Sequence, residues 1–175
     1  MNLRRLAPVI FLAGCGSEAP TNSFSTAPGS SVLVGDVTQA TFTSSGGGLH
    51  SNPPPGAACD PAQWSYTVGF AAQTLSSITC TLTGDWTLAA DYTPITLLIS
   101  LDPSQWQMVR AALEAVTVSS QRTCGADADT RDLTVVRGEA SLTYGDDFYG
   151  CDPSHSAFVS SDRLDNLWTV ESAIN

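Results

Sequence analysis

The chain has 175 residues, 17 acidic and 7 basic side chains, and a formal net charge of −10 at pH 7. All seven basic residues are arginine, and two of them, Arg4 and Arg5, stand at the extreme N-terminus. Without these two, five arginines and 17 acids remain, so the formal net charge of the rest of the chain is near −12. This composition argues against a nucleic-acid partner, because phosphate binding requires a basic surface. Low charge content and abundant Ser and Thr are typical of an exported protein.

The first fifteen residues have the order of a cleaved export signal. Arg4 and Arg5 precede an apolar stretch over residues 6–14, which is far shorter than the roughly 20 residues of a membrane span. The stretch ends in Leu12-Ala13-Gly14-Cys15, which resembles the lipobox of bacterial lipoproteins. The resemblance implies a signal peptide over residues 1–14, cleavage before Cys15, and lipidation of Cys15.

A lipidated Cys15 implies a bacterial cell envelope location with the membrane as a partner. Two acyl chains suffice for stable anchoring, at about 0.8 kcal/mol per buried CH₂ group. In the lipoprotein family an Asp after the cysteine holds the protein at the inner membrane. Gly16 stands there in this chain, so the resemblance implies the outer membrane, on its periplasmic face or at the cell surface.

Residues 15–56 are rich in Ser, Thr, Gly and Pro, including the run Ser44–Gly48 and the run Pro53–Gly56. Such runs form flexible or semi-rigid linkers. We therefore expect a lipid anchor and tether over residues 15–56 and a folded domain over residues 57–175. The stretch Ser31–Thr43 also fits a strand, and the sequence leaves open whether it is ordered.

Three strands are predicted at the start of the domain. Trp64, Tyr66, Val68 and Phe70 alternate with small or polar residues, which is typical of a half-buried strand. A second alternation contains Ile78, Cys80 and Leu82. The third contains Ile95, Leu97, Ile99 and Leu101, with Leu98 on its other face.

A helix is predicted directly after the third strand. Asp102 is a suitable N-cap, Pro103 fits the first helical position, and Gln105 completes a capping-box pattern. Apolar residues then recur at helical spacing and should face the sheet, namely Trp106, Val109, Leu113 and Val116.

The segment Leu133–Tyr144 reads as a β-hairpin that turns at Arg137-Gly138. The predicted opposite pairs are Val135 with Ala140, Leu133 with Leu142, and Arg131 with Tyr144. Apolar residues then occupy one face and Thr134, Val136, Glu139, Ser141 and Thr143 the other.

Four cysteines follow Cys15, and an even number in an oxidising compartment predicts two disulfides. None has the CxxC spacing of a zinc site. Cys124 and Cys151 lie equally far from the predicted hairpin turn, which favours a Cys124–Cys151 bridge and leaves Cys59–Cys80 as the second.

Ser160 or Ser161 can cap a last helix, with Leu164, Leu167, Trp168 and Ile174 as its apolar stripe. The predicted order is βββαββα. This order favours an α+β domain with an antiparallel sheet of about five strands, two helices on one face and two disulfides. In architecture alone it is similar to secreted subtilisin-inhibitor domains.

Two acidic segments are candidate sites. Asp127, Asp129 and Asp132 supply carboxylates of the type that Ca²⁺ prefers, although the sixth and twelfth positions do not fit an EF-hand. Asp146 and Asp147 stand among aromatic residues, including Tyr149, and form a candidate binding loop for a cation, a sugar or a peptide.

Trp86 follows Gly84-Asp85 in a predicted turn and is the tryptophan expected to be exposed for a ligand. His155 lies close to Asp152 and Ser154 in the chain, but residues so near in sequence rarely assemble a catalytic triad. No cofactor and no catalytic residue are predicted.

The interpretation is a membrane-anchored envelope lipoprotein with a non-catalytic binding or display domain, and an envelope protein or a glycan as its partner. The alternatives are a small hydrolase, a calcium-dependent enzyme and a protease-inhibitor-like domain. An enzyme requires His155 or several carboxylates to meet in one cleft, whereas binding requires only an exposed surface. The oligomeric state stays open.

Overall fold

The computed structural model describes residues 23–46, 53–125, 130–148, 150–151 and 153–174. These residues form an α+β fold with a single sheet and two helices. The elements are β1 (Gln39–Ser45), β2 (Gln63–Gly69), β3 (Thr74–Leu82), β4 (Tyr92–Ser100), α1 (Pro103–Glu114), β5 (Thr130–Arg137), β6 (Ala140–Asp146), β7 (Phe158–Val159) and α2 (Ser161–Ile174).

The described residues contain seven strands in the spatial order β4-β3-β2-β1-β5-β6-β7. All neighbours are antiparallel except β7, which pairs parallel with β6. The sheet is therefore mixed and larger than the predicted five antiparallel strands. The two strands outside the predicted order are β1, which overlaps the stretch Ser31–Thr43 whose order the sequence left open, and β7, which has only two residues and no periodicity to detect.

Strand β1 lies at the centre of the sheet, between β2 and β5. Phe42 is 1% exposed and stands opposite Tyr66 on one side and Leu133 on the other. The predicted tether over residues 15–56 is therefore too long, because residues 23–46 belong to the folded domain. Cys15 and the rest of the leader lie outside the described residues.

Residues 23–38 pack against the end of β5 through Arg137. Its guanidinium donates to the carbonyl of Ser23 (2.6 Å) and to that of Val32 (3.2 Å), and its Cζ lies 4.6 Å from the centre of the Phe24 ring. Arg137, predicted in the hairpin turn, is the last residue of β5 and is buried, at 3% exposure. The Tyr144 hydroxyl donates to the carbonyl of Ser25 (2.9 Å), and burial raises the pKa of this phenol.

Both helices cover the same side of the sheet, which we call the helix face, as predicted. Its core comprises alternate strand residues and one side of each helix: Ala40, Phe42, Val68, Leu75, Leu133, Val135, Val109, Leu113, Leu164 and Leu167. The opposite side, which we call the open face, carries the intervening residues, many of them threonine. No helix among the described residues is long and apolar enough to cross a membrane.

Helix α1 begins as its sequence predicts. The Asp102 carboxylate accepts from the backbone N–H of Ser104 (2.8 Å) and Gln105 (2.9 Å), while the Gln105 side chain accepts from the Asp102 N–H (3.0 Å). The hydrogen bonds that the carboxylate accepts from the Gln105 N–H, and then from the hydroxyl and N–H of Ser104, lower the pKa of Asp102. Along the helix Val109 and Leu113 are fully buried, and the partly buried Trp106 packs edge-on against Phe70.

The β5–β6 hairpin forms, but its predicted register is wrong by one residue at the turn. Leu133 lies opposite Tyr144 and Val135 opposite Leu142, so the turn is centred between Gly138 and Glu139. Gly138 has a φ of +56°, a conformation that favours glycine. The predicted faces survive, because moving the turn by one residue changes each partner by two positions and preserves the alternation.

Both predicted disulfides are present, Cys59–Cys80 and Cys124–Cys151. The second closes the open end of the hairpin even though the turn is displaced by one residue. The first joins β3 to the loop before β2, a contact between segments that no local pattern relates.

Candidate functional site

The open face presents a regular array of hydroxyl groups. Four threonines form one row across the sheet because Thr67, Thr41, Thr134 and Thr143 are consecutive cross-strand partners. The hydroxyls of Thr41 and Thr67 are 3.1 Å apart, and those of Thr134 and Thr143 are 2.9 Å apart. Small hydroxylated side chains at alternate positions therefore give this face a polar, fairly flat surface.

A groove of about 450 Å³ lies on this face at the end of β1 that carries Ser45. Side chains of alternate residues on β1, β2 and β3 form its floor, including Thr43, Ser65 and Ile78. The residues that line it are Thr43, Ser44, Ser45, Ala58, Cys59, Asp60, Gln63, Trp64, Ser65, Ile78, Thr79, Cys80, Thr130 and Asp132. This is a concavity of the size that small ligands occupy in proteins.

The Cys59–Cys80 disulfide shapes one wall of the groove. Cys80 lies on the open face, because it is two residues from Ile78 and out of phase with the buried Leu75 and Ser77. The bridge therefore holds the loop before β2 against this face. Within that loop the Asp60 carboxylate accepts from the Ala62 N–H (2.9 Å), which orders the turn into β2.

The groove combines hydroxyls with two carboxylates and has no basic residue in its lining. Asp60 stands in the loop wall and Asp132 on β5 across the floor. On the same side, the hydroxyls of Ser45 and Thr130 are 2.8 Å apart. This arrangement favours a ligand that donates hydrogen bonds or carries positive charge and disfavours an anion.

Asp132 also contacts His155, whose Nε2 lies 3.1 Å from Oδ1 of Asp132. His155 lies over Gly145, where an added Cβ would be only 3.0 Å from the imidazole Cγ, so glycine permits this approach. The hydroxyl of Ser154 is 3.0 Å from Nδ1 of His155. In a Ser-His-Asp triad the acid is bonded to Nδ1 of the histidine and the nucleophile to Nε2. In this chain the acid contacts Nε2 and the serine contacts Nδ1, so the two nitrogens have exchanged partners relative to a hydrolase triad.

Asp146 and Asp147, predicted as a candidate binding loop, hold the start of helix α2 through hydrogen bonds. Asp147 accepts from the Ser161 N–H (3.0 Å) and from the Ser119 hydroxyl (2.7 Å). Asp146 is 1% exposed, and it accepts from Arg131 (2.9 Å) and from the Ser161 hydroxyl. Carboxylates at a helix N-terminus accept hydrogen bonds from its free N–H groups, and their negative charge interacts favourably with the positive end of the helix dipole. These two acids therefore have a structural role here.

The other predicted site residues lie apart from the groove. Trp86 is exposed, at 59%, as predicted, in the β3–β4 hairpin, and it does not line the groove. Tyr149, Asp127 and Asp129 lie outside the described residues. Over the stretches that the structure covers, no three His, Cys, Asp or Glu side chains lie close enough to hold a metal ion.

The sequence interpretation missed Asp60, Ser65 and the hydroxyls of β1 as candidate binding residues. For the β1 hydroxyls the signal was the alternation of Thr with apolar residues in 39–45, which the low-complexity composition of the surrounding segment obscured, whereas Asp60 and Ser65 had no such signal. No family model, no curated protein and no solved structure matches this chain.

Proposed function

We propose that this chain is an envelope lipoprotein, anchored by lipid at Cys15, whose domain is a non-catalytic binding module that takes its ligand in the open-face groove. The anchor rests on the leader and its Leu12-Ala13-Gly14-Cys15 motif. The two disulfides agree with an oxidising compartment. The observation that carries the binding role is the groove itself, which is concave, rich in hydroxyls and braced by a disulfide.

In this proposal the domain sits close to its membrane. Ser23 is held to the fold by Arg137, and only eight residue steps separate it from Cys15. A fully extended chain of that length spans at most about 28 Å. The tether expected from composition would have been several times longer, so the anchor restricts the domain far more than the sequence interpretation implied.

The anchored end and the groove lie at opposite ends of the sheet. Arg137, which holds Ser23, is next to the Gln39 end of β1, whereas the groove lies at its Ser45 end. Six residue steps along a strand cover roughly 20 Å. The groove would therefore face away from the membrane, where a ligand in the envelope or outside the cell can reach it.

The chemistry of the lining favours a glycan that is neutral or carries amino groups. Hydroxyls and carboxylates exchange hydrogen bonds with sugar hydroxyls, and Asp60 and Asp132 attract ammonium groups. Ile78 is 49% exposed and offers an apolar contact for the CH face of a sugar ring. The same two acids, on a chain of net charge −10, repel acidic glycans.

Ser65→Trp is expected to fill the groove and weaken glycan binding by at least about tenfold, or about 1.4 kcal/mol. Binding of glucosamine oligomers, glucose oligomers and an acidic uronate oligomer to the detergent-extracted protein would be measured by calorimetry. Ser141→Trp is the matched control, because Ser141 is exposed on the same face outside the groove. Equal loss in both variants, tightest binding of the uronate, or no binding of any oligomer would contradict this ligand assignment.

Cys15→Ser is expected to move the protein from the membrane fraction to the soluble fraction, because the thiol that carries the lipid is removed. Fractionation of cells without detergent measures this directly. Ser17→Ala, which changes a hydroxyl near the motif but keeps Cys15, should stay with the membranes. Recovery of the unmodified chain in the soluble fraction would count against the anchor, and it would leave the groove assignment standing.

A further inference from the structure

Strand β4 forms one edge of the sheet, and its outer side pairs with no strand of the described chain. It is among the longest strands, with nine residues, and it is bonded to β3 along its whole length. An edge of this kind offers a row of backbone donors and acceptors to another strand.

The backbone groups on the free side can be assigned from the neighbouring hydrogen bonds. The N–H of Leu101 donates to Gln73 (2.9 Å), and the carbonyl of Asp91 accepts from Thr83 (3.0 Å). Odd-numbered residues therefore bond towards β3, and even-numbered residues present their N–H and C=O groups outward. Pro94 is even-numbered, so its missing N–H leaves a gap on the free side and weakens no bond to β3.

The side chains along this edge are apolar and exposed. Leu98 is 69% exposed, Ile95 48% and Leu97 42%, and Ile78 of the neighbouring strand is 49% exposed. No charged residue occurs from Tyr92 to Leu101, although the chain has 17 acids. Edge strands are normally protected by charged side chains, bulges or a covering segment. Pro94 is the one such feature in β4, and it affects one end of the strand.

A second copy of the chain fits this edge because the edge is uncharged and its outward backbone groups, on even-numbered residues, match those of an identical antiparallel strand. Two molecules of net charge −10 repel at most orientations, and the uncharged stretch over residues 92–101 lets their edges approach without opposing carboxylates. A two-fold axis also places identical apolar side chains against each other, as isologous interfaces require.

The proline selects the register. With Leu98 on the two-fold axis, Thr96 lies opposite Ser100 of the second copy, and Pro94 lies opposite Asp102, where the strand has already ended. An axis at Leu97 would place Pro94 opposite Ser100 and lose a hydrogen bond on each side. It would also bring Asp91 of one copy beside Asp102 of the other, at an energetic cost.

We propose that two copies of this chain pair antiparallel through β4, about a two-fold axis at Leu98, to form one continuous sheet. The pairing places Leu98 of one copy beside Leu98 of the other and Leu97 beside Ile99, so these apolar side chains of β4 contact each other across the new strand pair. The proposed pairing involves neither the groove nor Cys15, so a test of the pairing is independent of the proposed function.

Oxidative cross-linking of cysteine variants tests the pairing and its register. In the full chain expressed in whole cells, Leu98→Cys is expected to give a disulfide-linked dimer well above the level of the parent chain, because facing Cα atoms in such a pair are about 5.5 Å apart. Leu97→Cys should cross-link less, since in this register it faces Ile99. Leu88→Cys, an equally apolar and exposed position off β4, is the background control. Equal cross-linking at Leu98 and Leu88, or stronger cross-linking at Leu97, overturns the proposal.

A charge on the edge provides the second test. Leu98→Lys is expected to convert a dimer of the detergent-extracted protein to a monomer in sedimentation equilibrium, because it puts two ammonium groups on the axis. Leu88→Lys should leave the dimer intact. Circular dichroism of each variant checks that the domain is folded. A monomeric parent protein at every concentration, or a dimer that survives Leu98→Lys in a folded protein, overturns the pairing.

Discussion

Glu171→Gln is expected to make the protein more stable than the wild type at pH 8 by several kcal/mol. Glu171 lies on the buried stripe of α2 with Leu164 and Leu167 and is 1% exposed. Its Oε2 has no hydrogen-bond partner among the described residues, and burial raises the pKa of its carboxyl to about 8. The folded protein therefore holds this acid in its neutral form at pH 7.

The sign of the pH dependence follows from proton counting. From about pH 4.5, the ordinary pKa of this carboxyl, to about pH 8, the folded state binds a proton that the unfolded state has lost. The free energy of unfolding therefore falls as the pH rises, by up to about 1.4 kcal/mol per pH unit, or roughly 5 kcal/mol over the window. Below about pH 4.5 both states are protonated and the residue adds no penalty.

Urea unfolding of both proteins at pH values from 5 to about 9 measures this difference. Glu171→Gln should remove the slope, because the amide keeps the shape of the protonated acid and does not ionise. The exposed Asp85 and Asp102 have pKa values lowered from 3.8, so they titrate below this window. Parallel curves for the wild type and Glu171→Gln would show that Glu171 ionises normally and is accessible to water.

Phe42→Ala is expected to lower the free energy of unfolding by about 3–5 kcal/mol, the usual cost of removing a buried aromatic side chain. Phe42 lies at the centre of the helix face and contacts Trp64 edge-on, with ring centres 5.3 Å apart. The loss comes from the cavity and from the broken contacts with β2 and β5, its two neighbours in the sheet.

The neighbouring residue Thr43 supplies the matched control. It stands on the open face of the same strand, so Thr43→Ala should change the unfolding free energy by less than about 1 kcal/mol. Denaturant unfolding at fixed pH compares the two variants. If Phe42→Ala were as mild as Thr43→Ala, residues 39–45 would be an appended segment, as composition suggested, and the central position of β1 would be contradicted.

The elements predicted best were those whose signal is local. The start of α1 depends on Asp102, Pro103 and Gln105, three residues whose hydrogen bonds lie within one turn of helix. The β5–β6 hairpin depends on alternation over a dozen residues around Gly138. These features could be predicted because the residues that determine them are close together in the chain.

The failures share one property, that a distant segment decides them. In β3 the sequence showed the alternation Ile78, Cys80 and Leu82 without showing which side meets the core, and in the structure Leu75 and Ser77 are buried while Ile78 is 49% exposed. An alternating strand has two faces, and only its neighbours determine which of them meets the helices. The same applies to β7, which exists because residues 158–159 reach the edge of β6.

The candidate sites also depend on residues that are far apart in the chain. Asp146 and Asp147 were notable in sequence because they stand among aromatic residues, but their oxygens are used by Ser161 and Arg131, which lie at least 14 residues away. The groove brings together Asp60, Ser65 and Asp132 from three separate segments. No spacing in the chain relates them, so no motif could have indicated the groove.

The sequence by itself determined the order of most elements, the cap of α1 and the acidic, lysine-free composition, and it favoured the Cys124–Cys151 pairing, because each depends on residue type or on spacing along the chain. Only the tertiary structure decided that residues 39–45 lie at the centre of the sheet, that Glu171 is buried, and that β4 is left as an apolar edge. These outcomes depend on pairing between strands far apart in sequence, and the free energy of that pairing comes from burial that no single segment provides.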